Sequence, residues 1–282
     1  MSAPFTDAHV HFWDRANLPY PWLAEVPAIA GRHTPETLAA EAGIAAPARI
    51  VFVQADCAAE HGLDEVRWVE SLARTEPRIA GLVAHVPVDR PAALADWLAE
   101  LSHHPLVRGG RRLIQGESDP GFCLRPEFVA GVQALARAGL SFDVCCRHHQ
   151  LPEVIELVHR CPQTSFILDH AGKPALARRE LDPWRAQISA LATRPNVACK
   201  ISGLVTEAAP NWTGADLRPY VDHLLTAFGP SRLLFGSDWP VVKLAGPYRR
   251  WLEVAHELLS ALSPAERDAI FHGNAGRVYR LA

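Results

Sequence analysis

Eight short runs rich in Val, Ile, Leu and Phe recur along the chain, at residues 5–11, 49–55, 79–86, 106–114, 140–146, 164–168, 196–202 and 232–236. Many are apolar at consecutive positions, as strands buried on both faces should be. Helical patterns sit between them. Residues 63–74 place Val66, Val69 and Leu72 on one face, and 92–101 do the same with Leu94, Trp97, Leu98 and Leu101. Residues 127–138, 151–159 and 217–228 read the same way. The runs start roughly 25–45 residues apart, enough for a strand, a crossover helix and two loops. The predicted fold is α/β, a single (β/α)8 barrel of the TIM type, with residues 1–282 as one domain; such a barrel takes about 250 residues. A doubly wound open sheet is the rival, disfavoured because no GxGxxG-type loop follows the first run. The longest connection, 13–48, carries Pro19, Pro21, Pro27 and Pro35 and reads as an ordered insertion over the barrel mouth.

Charge narrows the partners. The chain has 28 basic and 31 acidic residues in 282, a formal net charge of −3. Nonspecific binding to nucleic acid or to an anionic membrane needs a basic face, so neither is expected. The stretch 147–149 (Arg-His-His) is too short for nucleic-acid recognition and has no interleaved aromatics. No apolar stretch of about 20 residues is present, and the first residues, MSAPFTDAHVHFWD, lack the basic and apolar regions of a signal peptide. A cytoplasmic protein is expected. The six cysteines are scattered without a CxxC pair, and buried thiols are the expectation for them. Oligomeric state, a homo-oligomer included, is left open.

Active groups of such a barrel gather at the C-terminal ends of its strands. The first run ends Asp7-Ala8-His9-Val10-His11. His9 and His11 are two apart and share a side of a strand, so two imidazoles converge as a metal site needs; alternation puts Asp7 on that side one layer deeper. The competing reading is a polar core layer. The sixth run ends in Asp169-His170-Ala171-Gly172-Lys173-Pro174, and the eighth in Gly236-Ser237-Asp238-Trp239-Pro240. A satisfied histidine and a turn aspartate are the bland alternatives for His170 and Asp238.

These motifs are similar to those of the amidohydrolase superfamily. DAHVHFWD, ILDHAGKP, VACKISGL, LLFGSDWPV and GNAGRVYRL resemble more narrowly its amidohydrolase 2 type branch of metal-dependent hydrolases. That branch includes L-fuconolactone and L-rhamnonolactone hydrolases and, more distantly, 2-pyrone-4,6-dicarboxylate lactonase. The resemblance implies that His9, His11 and His170, with Asp238, form the metal site, and that Asp238 takes the proton from water. Binuclear members carry a Glu or a carboxylated Lys after strand five. Here that end reads Asp143-Val144-Cys145-Cys146-Arg147-His148, so the resemblance implies at most one divalent ion, Zn or Mn. Some lactonases of the branch with a similar pattern work without metal, so a dispensable ion stays open alongside a required one.

The reaction so implied is hydrolysis of a sugar-acid lactone, an activated cyclic ester. One ion on His9, His11 and His170 would polarise the carbonyl oxygen or acidify a water; without it the same imidazoles would donate to the oxyanion. Asp238 would abstract the water proton and pass it to the ring alkoxide. Arg111 matches the family's strand-four Arg. Arg112, Gln54, Trp22, His148, Lys200 and Trp239 are the further candidates for substrate contact, with structural pairing or core packing as alternatives, and His85 is placed at the mouth. Asn274 reads as the N-cap of the last helix, without a catalytic role. The competing functions are a nonoxidative decarboxylase of an aromatic acid, which would want a flat apolar pocket, and a noncatalytic binding barrel.

Overall fold

The computed structural model describes residues 4–281. The eight runs form β1 (Thr6–Val10), β2 (Arg49–Val53), β3 (Ile79–His85), β4 (Val107–Arg111), β5 (Ser141–Val144), β6 (Phe166–Leu168), β7 (Val197–Ile201) and β8 (Leu233–Phe235). They pair in chain order, every neighbour parallel. The circle closes past the end of β8. There the His11 amide donates to Trp239 O at 2.7 Å and the Asp238 amide donates to His9 O at 2.9 Å. The eight strands therefore form a nearly closed (β/α)8 barrel, sealed at the rim where β1 presents its histidines.

The helices are α1 (Pro35–Ala42), α2 (Gly62–Ala73), α3 (Pro91–Leu101), α4 (Pro126–Arg137), α5 (Leu151–Arg160), α6 (Trp184–Ala192), α7 (Gly214–Phe228), α8 (Tyr248–Leu258), α9 (Pro264–Asp268) and α10 (Asn274–Val278). Their starts follow local chemistry. Proline occupies the first turn of α1, α3, α4, α5 and α9, where its missing N–H costs nothing. Thr213 and Asp216 form a capping box at α7. Helices α1 to α8 each bury one stripe on the barrel; α5 does so with Leu151, Val154, Leu157 and Val158. A second apolar cluster, with Val51, Val53, Val83, Ile167, Ala198 and Leu234, takes in Tyr279 from beyond α10.

The strands are shorter than the runs suggest. The fourth, read as 106–114, ends at Arg111, because its last residues turn into the mouth loop. The insertion 13–48 is ordered as expected: Trp13, Leu18, Tyr20, Leu23 and Ile29 form a core of their own with Ala55 and Cys57. Two other expectations are corrected. Asp7 does not lie beneath the histidines: the register of β1 breaks between Asp7 and Val10, and its carboxylate accepts from the Ser237 amide (2.8 Å) and from the Tyr248 hydroxyl of α8 (3.1 Å). Asn274 is the first residue of α10, not its cap; its Nδ2 donates to Pro230 O and Leu233 O and ties the C-terminal helix to the start of β8.

Candidate active site

Strand ends deliver the polar groups to one place. His9 is the fourth residue of β1, and His11 follows the strand. β6 runs into a tight turn, Asp169–Gly172, in which His170 and Ala171 take φ of 53° and 52°. Left-handed backbone costs a non-glycine residue about 1–3 kcal/mol and persists only where the surroundings enforce it. Here the Trp184 indole donates to Ala171 O at 2.7 Å, and Gly203 after β7 lies against the His170 ring, where a Cβ would come within 2.5 Å of Nδ1. Asp238 is likewise left-handed, with φ 62°. Gly236, before it, leaves room for His9: a Cβ there would sit 2.7 Å from that of His9.

One carboxylate oxygen faces three imidazoles. Asp238 Oδ1 is 3.4 Å from His11 Nε2, 3.7 Å from His9 Nε2 and 3.9 Å from His170 Nε2. Burial pushes the Asp238 carboxyl up, but the imidazoles of His170, His11 and His9 outweigh it and hold the group below its ordinary value. Burial lowers His170 to about 4 and drives His9 well down, with the Lys200 ammonium adding to the effect on His9. At neutral pH the cluster is thus an ionised carboxylate beside neutral His9 and His170.

A layer of buried charge lies behind it. Lys200 Nζ is 2.6 Å from Asp143 Oδ2, 2.9 Å from Asp169 Oδ1 and 3.0 Å from His9 Nδ1. Arg111 donates to Asp169 Oδ2 at 3.0 Å and to Gln54 O. Tyr279 donates to Asp143 Oδ2 at 2.6 Å. Burial disfavours the charge on Lys200, but Asp143 and Asp169 reverse this and raise it above the ordinary value. Two cations against two carboxylates keep the layer neutral, as buried charge requires.

In front of the cluster is a cavity of about 200 Å³. His11, His170, Asp238, Arg111 and Trp22 line it, together with Asp56, Gln115, Cys145 and Lys173. The other sequence candidates lie elsewhere. Lys200 is fully buried in the charged layer. Gln54 is buried, its Oε1 accepting from the Asp56 amide. Trp239 is core, its indole donating to Glu41. Arg112 is paired with Asp89 and Glu117 and faces a second cavity, which His85 also lines. His148 turns its Nδ1 to Lys173 O at 3.1 Å.

Sequence reasoning assigned no role to Asp56, Gln115, Cys145, Asp169 or Lys173. Asp169 and Lys173 flank His170 in the DHAGKP turn, and Cys145 follows β5, so position past a strand end was the usable signal. All six cysteines are free and buried, as expected; Cys145 is the one that also reaches the cavity.

The chemistry of these donors suits a divalent ion. His9, His170 and Asp238 each offer a ligand atom, and these lie within 4.8 Å of one another. Bonds of about 2.0–2.2 Å allow two ligand atoms of one ion to be at most ~4.3 Å apart, which the distances from Asp238 Oδ1 to all three imidazoles satisfy.

The amidohydrolase family model matches residues 6–281, and the chain belongs to that family. It is 38% identical over 302 residues to the L-fucono-1,5-lactonase of Burkholderia multivorans, covering 100% of this chain and 97% of the relative. It is 34% identical to that of Burkholderia ambifaria, over 98% of this chain and 95% of the relative. A crystal structure of an amidohydrolase from Burkholderia multivorans with bound Zn is similar at a TM-score of 0.88 and 38% identity, covering 99% of this chain and 100% of that one.

Proposed function

We propose that the protein hydrolyses a sugar-acid lactone of the L-fucono-1,5-lactone type to its aldonic acid, with Asp238 as the base. The observation that carries the reading is the single carboxylate oxygen within 3.9 Å of three imidazole nitrogens beside the cavity. The whole-length likeness to the two Burkholderia lactonases sets the substrate class.

Asp238 accepts the proton of the attacking water and returns it to the ring oxygen as the C–O bond opens. Its ionised state is secured by the imidazoles, and its position by the amide contact to β1. Lys173, at the cavity wall, faces the developing oxyanion and the hydroxyls of the sugar, with Arg111 held beside it by Asp169. Trp22 supplies an apolar face for the ring. A divalent ion, Zn on the precedent of the similar crystal structure, would be held by His170, Asp238 and the β1 pair, and when bound supplies Lewis-acid polarisation of the carbonyl. The charged and amide groups Asp56, Arg111, Gln115 and Lys173 suit a hydroxylated substrate better than the flat aromatic acid of a decarboxylase.

The chain is one catalytic domain. Its six free thiols suit a reducing cytoplasm; among the described residues no helix is long and apolar enough to cross a membrane. A pH-indicator assay on a panel of aldonolactones, run with and without chelator, tests the assignment. Acid release from a deoxy-sugar lactone is the expected result. No release across the panel, with CO₂ evolved from an aromatic acid, overturns it.

A further inference from the structure

The short segment after β2 is pinned residue by residue. Arg111 donates to Gln54 O, and the Gln54 amide donates to Val83 O at 2.8 Å. The Ala55 amide donates to Glu65 Oε1 at 3.1 Å, and the Trp22 indole donates to Ala55 O at 2.9 Å. The Asp56 amide donates to Gln54 Oε1 at 2.7 Å. These bonds hold Asp56 in left-handed backbone, with φ 56°. Aspartate tolerates that region better than most residues, yet it persists only where the surroundings enforce it. Among the described residues, seven other than glycine have positive φ. Four of them, Asp56, His170, Lys173 and Asp238, line the cavity in front of the histidines.

The carboxylate so placed has no partner. Asp56 is exposed, and it lines both that cavity and the second one, which share Leu113 as well. Among the described residues it makes no ion pair, and neither of its carboxylate oxygens accepts a hydrogen bond; the guanidiniums on this side are spent elsewhere, Arg111 on Asp169 and Arg112 on Asp89 and Glu117. The recess raises its carboxyl, against the pull of Arg111, Arg112 and His11. An ionised carboxylate accepts and cannot donate. Rigid and unpartnered beside the reacting groups, it fits a ligand that brings O–H donors, and hydroxyls bond strongly to a charged acceptor. The same charge repels a ligand that brings an anion, so one side chain both attracts and rejects.

We propose that Asp56 is a specificity-determining residue: its carboxylate accepts the hydroxyl groups of an uncharged sugar lactone and turns away lactones that carry an acid group of their own. The proposal rests on the lactonase reading and says which lactones the cavity admits.

Lactams, which resist hydrolysis, test the charge apart from turnover. The 1,5-lactams of L-galactonic and galactaric acid differ in one terminal group, CH₂OH in the first and a carboxylate in the second. Calorimetric titration of the wild type is expected to show the neutral lactam bound at least about 10-fold tighter, the scale of one hydrogen bond to a charged group. Asp56→Asn keeps the shape, one acceptor and tolerance of left-handed backbone, and it should abolish that preference. With L-fucono-1,5-lactone the same variant is expected to raise KM about 10-fold and to leave kcat within ~3-fold. Equal affinity for the two lactams in the wild type, a preference that survives in a folded Asp56→Asn, or a loss confined to kcat overturns the proposal. Should Asp56→Asn fail to fold, Asp56→Gly, which suits positive φ, takes its place. Wild-type turnover of the lactone separates the readings. A charge preference without turnover contradicts the lactonase assignment and leaves the selection by Asp56 standing; turnover without the preference does the reverse.

Discussion

At the scale of single residues, two cations at the cavity wall do different work. Arg111 is almost wholly buried and locked to Asp169 and Gln54 O, so its charge is part of the fold. Lys173 has one loose partner, Glu207 at 3.8 Å, and is free to turn to a substrate oxygen. Lys173→Met is expected to lower kcat/KM by about 10²-fold, the scale of one lost oxyanion donor, with an unchanged circular dichroism spectrum. Arg111→Met is expected to cost about 3 kcal/mol of stability in urea unfolding, because it strips a buried carboxylate of a partner. The opposite pattern, an unstable Lys173 variant and a stable Arg111 variant with lost turnover, would reverse the two roles. The sequence offered Lys200 as a third cation for substrate. Its type and strand were legible, but its direction was not: the two aspartates that draw it into the barrel stand on β5 and at the end of β6, and no local pattern links them to β7.

At the scale of elements, the site depends on loops bent where they meet the rings. Gly203 and Gly139 both have positive φ, but a Cβ at Gly203 meets the His170 ring, whereas nothing lies within 4 Å of one at Gly139. Gly203→Ala is expected to cut kcat more than about 10-fold by displacing His170. Gly139→Ala should lower Tm, by strain of about 1 kcal/mol, and leave kcat intact. Equal kinetics in the two would show that the His170 turn is not held from β7. The eight strands and the motif ends were readable because apolar runs and HxH spacing are local. α1, α6, α8 and α9 were not assigned from the sequence; α1 lies inside a proline-rich insertion. The break in β1 that swings Asp7 onto α8 comes from closing the barrel against the segment after β8, a contact between the two ends of the chain.

At the scale of the whole molecule, buried acids make stability depend on pH. Glu65 of α2 is buried, with the Ala55 amide donating to its Oε1 at 3.1 Å, and burial raises its carboxyl from 4.5 to about 7. The fold favours its protonated form. The contribution is therefore complete below pH 4.5 and disappears as pH rises through 7. Glu65→Gln keeps an acceptor without the charge. Its melting temperature should match that of the wild type near pH 4.5 and exceed it at pH 8, by the equivalent of about 3 kcal/mol at most. A difference that is the same at both pH values would show that Glu65 does not titrate in this range. Fold class and the three-histidine, one-aspartate centre were legible across the whole chain, since each lies in a short motif. The neutral charged layer behind them was not, because it is assembled from β4, β5, β7, the end of β6 and the C-terminal Tyr279.

The central claim is that the Asp238 carboxylate, poised among three imidazoles, draws the proton from the water that opens a lactone. Initial rates of acid release from L-fucono-1,5-lactone by wild type and Asp238→Asn, with melting curves on the same samples, test it most directly. The expected result is a kcat lower by about 10²–10⁴-fold in a variant that melts as the wild type does. Near-normal turnover in a folded Asp238→Asn would contradict it.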